Sequence, residues 1–363
     1  MQTALYQPEA GSRCTDAPSP APAPQARGEQ LALFRARPGL TVINCGMGRD
    51  SVAMLCLLAE GRLVCDGRVL APGDVDAVIF SDTDAEWPGT YAAVPRVRAL
   101  CERMGVRFLV LAKPPEWGPQ GWRTNQRPKG SKDLPVWVQH CPGSTIEERA
   151  RLGYYHRRLP IIEEYARFQT IAVTVSASCT ANHKVLVIRR VLDDLCRERF
   201  GVSCVAWGNL ARAGAVERHR VLIGIAADEA DRAIDSGRPY YEQVRYPLVE
   251  MGVSKADEAP ILARHGLDDL HKSGCFICPY QPAGWFWALS ELYPELFARA
   301  VAYEAAALER NPKMWVLGST KRPLPEAVAA WRARNPDATH ESVLAKSYCR
   351  SASAWGAAEK SAA

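Results

Sequence analysis

No stretch of this chain is apolar over the roughly 20 residues that a membrane span requires. Nothing between Met1 and Arg13 joins a basic start to an apolar core as a secretory signal does. The expectation is a cytoplasmic protein with no membrane partner. Net charge is scarce as well. The 45 basic and 40 acidic side chains leave a formal +5, too little for nucleic-acid binding to follow from bulk charge. No internal repeat is visible. Bulky apolar residues are few in residues 1–36, where Ala17-Pro-Ser-Pro-Ala-Pro-Ala-Pro24 cannot build a core, and again in 350–363. Both ends are expected to be disordered tails. Cysteine is not scarce. The twelve cysteines, in a reducing compartment, read as core filler or metal ligands rather than disulfides.

The 363 residues suffice for one large packing unit and a smaller one. Short apolar runs alternate with helical patterns, which predicts an α/β fold: a parallel sheet with helices on both faces. Strands are expected at Leu40–Asn44, Ala77–Ser81, Arg107–Leu111, Thr170–Val175, Cys204–Trp207 and Arg220–Ile225. Helices are expected at Ser51–Glu60, Thr90–Met104 and Lys184–Phe200.

The first strand leads into Thr41-Val-Ile-Asn-Cys-Gly-Met-Gly-Arg-Asp-Ser51 and then an apolar helix. Gly46 and Gly48 let an anion approach main-chain amides, and the helix adds its unpaired N–H groups and positive dipole end. Asn44, Cys45 and Ser51 belong to the same turn. Asp50 suits Mg²⁺ or the helix cap, and Arg49 could offset developing charge. The Gly-Lys-Ser/Thr ending of a Walker loop is lacking, which excludes a kinase or GTPase of that type. After the second strand, Asp82, Thr83 and Glu86 crowd where a ribose, an adenine edge or a metal would sit. A plain helix entry explains them equally well. From Pro114 to Ser144 the chain has little periodicity and interleaves Trp117 and Trp122 with Arg123, Arg127, Lys129 and Lys132. This is read as a lid, a nucleic-acid grip or a solvated loop.

Cys275-Phe-Ile-Cys278-Pro279 is a C-x-x-C turn, able to bring two thiolates to one metal or cluster, to act as a redox dithiol or simply to pack. A full site needs further thiolates. Cys179, just before a predicted helix, is the leading candidate, with Cys141 or Cys349 as a fourth. Lys184 and Arg190 follow on that helix and suit an anionic ligand. Cys56, Cys101, Cys196, Cys65 and Cys204 are read as core. Asp228 and Glu229 after the last strand mark another site loop, the aromatic residues after Cys278 a helical core layer.

Several of these phrases resemble the PP-loop ATP-pyrophosphatase and phosphoadenylyl-sulfate reductase superfamily. Its first loop reads S-G-G-x-D-S or N-x-G-G-G-x-D-S, and Met47 stands where that pattern has glycine. Asp82-Thr-Asp-Ala-Glu-Trp-Pro-Gly-Thr90 is similar to its D-T-G-x-E-x-P-E-T phrase, departing at Asp84 and Gly89. Ser178-Cys-Thr-Ala-Asn-His-Lys-Val-Leu-Val-Ile-Arg-Arg190 resembles the C-T-x-x-x-K-[IV]-x-P-[IL]-x-R phrase of iron-sulfur members, with Val187 at the proline position. A distant C-x-x-C follows in both. The resemblance runs from Leu40 to the helices around Arg310.

What the resemblance implies is a Rossmann-like domain of the adenine nucleotide α-hydrolase (HUP) type at 37–250, followed by a helical cysteine-bearing segment at 251–349. It further implies ATP with Mg²⁺ at the first loop, and a 4Fe-4S cluster, or zinc in its place, on Cys179, Cys275 and Cys278, with either a fourth ligand from Cys141 or Cys349 or one iron left open to hold sulfide. The expected activity is adenylation of an acceptor with release of pyrophosphate, supporting sulfur transfer to DNA or tRNA with a sulfur-donor protein as partner. One alternative is reduction of adenylyl sulfate or its 3′-phosphorylated form. Tyr348-Cys-Arg350 does not match the Glu-Cys-Gly tail of those reductases. Another is a zinc-stabilised nucleic-acid-binding module without catalysis.

Overall fold

Ala77-Val-Ile-Phe-Ser81 is buried along its whole length, as a strand covered on both faces must be. The computed structural model describes residues 36–113, 144–156, 160–171, 178–233, 239–271, 273–314, 316–319 and 322–346. The chain divides into residues 1–37 and 38–363, and every element below lies in the second unit. Seven strands are described: β1 (Thr41–Asn44), β2 (Val64–Cys65), β3 (Arg68–Val69), β4 (Ala77–Ser81), β5 (Phe108–Leu111), β6 (His219–Ile223) and β7 (Glu242–Arg245). β2 and β3 form a small antiparallel pair. The other five form one parallel sheet in the order β5-β4-β1-β6-β7. The chain winds outward from β1 to β5, then returns to the other side of β1 for β6 and β7. The winding therefore reverses between β1 and β6, where the strand ends leave a crevice for ligands.

Helices α1 (Arg49–Ala59), α2 (Pro88–Met104), α3 (Ile146–Arg151), α4 (Ile161–Phe168), α5 (Leu186–Phe200), α6 (Cys204–Arg212), α7 (Lys255–Ala263), α8 (Ala283–Leu292), α9 (Pro294–Arg310), α10 (Leu324–Arg334) and α11 (His340–Lys346) surround this sheet and extend beyond it. Alternate strand residues point to opposite faces. Ile43, Val78, Phe80 and Leu222 pack with α1, α2 and α7, whereas Val42, Ala77, Ile79 and Val221 pack with α3, α5 and α6. A third core joins Trp87, Ile161 and Phe276 to Trp285, Phe286 and Leu289 of α8 and to α9–α11. The aromatic run after Cys278 is therefore core, as its periodicity predicts. Among the described residues no helix is long and apolar enough to cross a membrane.

Two strand assignments need correction. Cys204–Trp207 begins α6 instead of forming a strand, because the Ser203 hydroxyl accepts the Ala206 N–H and caps a helix there. β7 has no counterpart in the expected set: Glu242-Gln-Val-Arg245 holds one apolar residue, too few to read as a strand. Of Thr170–Val175, residues 170 and 171 are not in a strand, and the rest lies outside the described residues. The Pro114–Ser144 loop lies outside them too, apart from Ser144, as do Cys349 and both tails except residue 36.

Candidate active-site cleft

The turn after β1 enters the crevice at the reversal point and starts α1 there. Gly48 is the N-cap, and no side chain caps the first amides of α1. Ser51 Oγ donates to the Gly48 carbonyl at 3.0 Å, which closes the turn. Met47 takes a left-handed backbone (φ 60°) with its side chain 1% exposed. Asp84, the other non-glycine at a motif glycine position, takes φ 60° as well. Both departures from the resembled pattern thus keep the conformation that glycine reaches most readily.

The cleft has a volume of about 140 Å³. Asn44, Gly46, Gly48, Asp50 and Ser51 line it from the first loop, Thr83 from the second, and Cys179 and Lys184 from the segment before α5. Cys275 and Cys278 line it from the C-x-x-C turn. Residues far apart in the chain, singled out separately, therefore share one cavity. Residues 181–185 form a π turn ahead of α5. Its wider winding places Cys179 and Lys184, five apart, on the same wall.

The C-x-x-C turn is fixed by its backbone. Cys278 N donates to the Cys275 carbonyl at 2.9 Å and Phe276 N to the Ala85 carbonyl at 2.9 Å. Cys275 also pairs with Glu86 in an antiparallel bridge. Thr83 Oγ1 lies 3.1 Å from Cys275 Sγ, and Lys184 Nζ lies 3.4 Å from Glu86 Oε1. Burial, reinforced by the Glu86 charge, pushes the Cys275 thiol well above the ordinary thiol range. A metal there would have to displace its proton.

Five residues expected at the site are placed elsewhere. Cys45 turns its thiol into the core, toward Met47 and Ser51, and burial raises its pKa. Arg49 reaches away to Glu258, with 3.7 Å between Nε and Oε2, because that buried carboxylate on α7 attracts it. Asp82 accepts the Tyr91 hydroxyl at 2.9 Å and the Asp84 amide at 2.8 Å, which fits the helix-entry reading. Glu86 stands behind Lys184, off the cleft wall. Arg190 donates to the Tyr155 carbonyl, away from the cleft, and Cys141 lies outside the described residues.

Other cleft residues had not been singled out. Arg232 lines the wall three positions after Glu229, with which it pairs. The carboxylate pair marked the right loop, but the cation occupies the cleft. Asp228 instead accepts the Lys255 amide at 3.2 Å. Ser273 and Gly274 lie over the first loop, and a Cβ on Gly48 would come within 2.9 Å of Ser273 Oγ. Gly224 abuts Ser51 so closely that its Cβ would sit 2.6 Å from the Ser51 amide. Ser273 precedes the C-x-x-C by two positions, yet its contact with residue 48 leaves no local signal.

Cys196, Cys204 and His219 form a second group, buried under the opposite face of the sheet, whose spacing could hold a metal ion. No protein-family model, no curated protein and no solved structure matches this chain.

Proposed function

We propose that this chain is a PP-loop nucleotide enzyme of the HUP type that binds ATP at the turn between β1 and α1, adenylates an acceptor and releases pyrophosphate, in support of sulfur transfer. One observation carries the reading: Cys179, Cys275 and Cys278 line the same cleft as the first loop and the start of α1. Strand reversal beside β1 supports it, since that is where doubly wound sheets receive nucleotides.

A pocket enclosing a whole organic ligand has a volume of roughly 300–1,000 Å³. The cleft is smaller, so the phosphates enter and the adenosine lies toward the mouth. There the amides after Gly48 meet phosphate, while Lys184 and Arg232 offset its charge. Asp50 lines the same space, and its carboxylate would hold Mg²⁺ there. An acceptor oxygen attacks the α-phosphorus, and pyrophosphate leaves with the electron pair of the broken P–O bond. Loop amides and the two cationic side chains stabilise the charge that develops on it.

The donors are of the soft kind, three thiols that line one cleft, two of them from a C-x-x-C turn. They are not gathered within 4.8 Å of one another as Cys196, Cys204 and His219 are, so they suit a cluster better than a single ion. Cys179, Cys275 and Cys278 would hold a 4Fe-4S cluster, or zinc, and a cluster would supply electron transfer or a sulfur-binding iron. DNA or tRNA is the acceptor class, with a sulfur-donor protein as partner. The test is pyrophosphate release from ATP with and without DNA or tRNA. Release stimulated by one of them supports the reading. No release with any acceptor, in a chain shown to be folded, refutes it.

A further inference from the structure

Cys196 in α5, Cys204 at the start of α6 and His219 at the start of β6 place two sulfurs and an imidazole nitrogen within 4.8 Å of one another. Cys196 is 0% and Cys204 3% exposed. Spacing admits a metal ion, and one hydrogen bond opposes it. The Leu40 N–H donates to His219 Nδ1 at 3.0 Å. The neutral ring therefore carries its own proton on Nε2 and has no lone pair left for a ligand bond. Moving that proton to Nδ1 would set two N–H groups against each other. The ring is also held against rotation, stacked beside Trp207 with centroids 5.5 Å apart. Beside the sulfurs, then, stands an N–H group rather than a metal ligand.

We propose that Cys196 and Cys204 are a redox-active dithiol which hydrogen peroxide oxidises to an intramolecular disulfide. Cys204 opens onto a cavity of about 780 Å³, lined also by Tyr155, Arg189, Arg190, Arg197 and Tyr241, through which a water-sized oxidant reaches its sulfur, with that of Cys196 within 4.8 Å behind it. One sulfur of the pair attacks a peroxide oxygen as thiolate, the O–O bond breaks, and the departing hydroxide takes up the proton that this thiol gave up, becoming water. The other sulfur then displaces the second oxygen from the sulfenic acid, and its own thiol proton leaves with that oxygen as water. Two thiols and one peroxide give one disulfide and two waters. Donation from the Cys204 S–H, with the His219 imidazole adding to it, holds Cys196 below the ordinary thiol range. That favours a thiolate within the pair. By contrast, burial pushes Cys56 and Cys101 up to about 12, which marks them as unreactive references.

The experiment treats the full chain with graded hydrogen peroxide, blocks remaining thiols with iodoacetamide in denaturant and maps the peptides by mass. The expected result is a Cys196–Cys204 link that dithiothreitol removes, forming about tenfold or more faster than Cys56 and Cys101 react. With Cys204→Ser and Cys196→Ser compared, dimedone captures a sulfenic acid on the cysteine that remains in the variant retaining the attacking sulfur. The wild-type map needs no variant to fold. Cys196 and Cys204 still carrying the alkyl label after Cys56 and Cys101 have oxidised would overturn the proposal. So would bound zinc that Cys204→Ser releases. The readout does not involve ATP, so its failure is distinct from failure of the nucleotide reading.

Discussion

Lys184 Nζ lies 3.4 Å from Glu86 Oε1, joining a cation on the cleft wall to a carboxylate with 0% side-chain exposure. The pair holds Lys184 in place where the phosphate charge is proposed to lie. Lys184→Met should cut pyrophosphate release from ATP by about 100-fold, the scale of a lost electrostatic contact. Glu86→Gln keeps the shape and should cost activity less. Its stability loss should stay below the ~3–5 kcal/mol of breaking a fully buried pair, because Lys184 is 26% exposed. Steady-state rates and denaturant midpoints of both variants check this.

Met47 and Asp84 both sit at φ 60°, yet glycine at each should act with opposite sign. A left-handed residue costs about 1–2 kcal/mol, offset by glycine's extra chain entropy of roughly 0.5–1 kcal/mol. Asp84 is exposed, so Asp84→Gly should be neutral or stabilising by up to ~1 kcal/mol. Met47 is buried, and losing its side chain costs about 2–5 kcal/mol, so Met47→Gly should destabilise. Urea titrations of the two variants give the signs.

Gly48 and Gly46 should differ as well. A Cβ on Gly48 meets Ser273 Oγ at 2.9 Å and the Ser273 amide at 3.1 Å, whereas on Gly46 the nearest contact is 3.6 Å. Gly48→Ala should weaken ATP binding about tenfold, a loss of roughly 1.4 kcal/mol, and adding Ser273→Ala should restore part of it. Gly46→Ala should bind nearly as the wild type does. Equilibrium dialysis with labelled ATP distinguishes the three.

Glu60 supplies a prediction in pH. Hydrogen bonds from Arg264, and then from His265 and Arg62, hold its carboxyl down to about 2, against an ordinary 4.5. Its contribution is therefore complete above pH 4.5 and is lost as pH falls from there toward 2. Arg264 grips both oxygens at 2.9 Å, and solvent screens the pair. Glu60→Gln should be modestly less stable at pH 7 and should approach the wild type near pH 2. Denaturant midpoints at the two pH values measure the gap.

Much of the sheet was legible because β1, β4, β5 and β6 are buried apolar runs, and burial on two faces leaves a strong pattern. β7 was not, since an edge strand with one buried apolar side chain looks like a loop. Cys204–Trp207 misled because apolar content outweighed the Ser203 cap. At the cleft, the motif residues were legible from spacing, but which way they point was not. Arg49 turns to Glu258 and Arg232 turns inward, and both directions depend on partners from distant segments. The Ser273 contact with Gly48 is of the same long-range kind.

The central claim joins a nucleotide's phosphates to a thiolate-held centre in one cleft. Titrating ATP with Mg²⁺ into anaerobically purified chain, while recording visible circular dichroism, tests both halves at once. The account predicts a visible band that changes saturably with ATP, a change weakened in Gly48→Ala and a band lost in Cys275→Ser. A colourless chain, or a band that saturating ATP leaves unaltered, would contradict it.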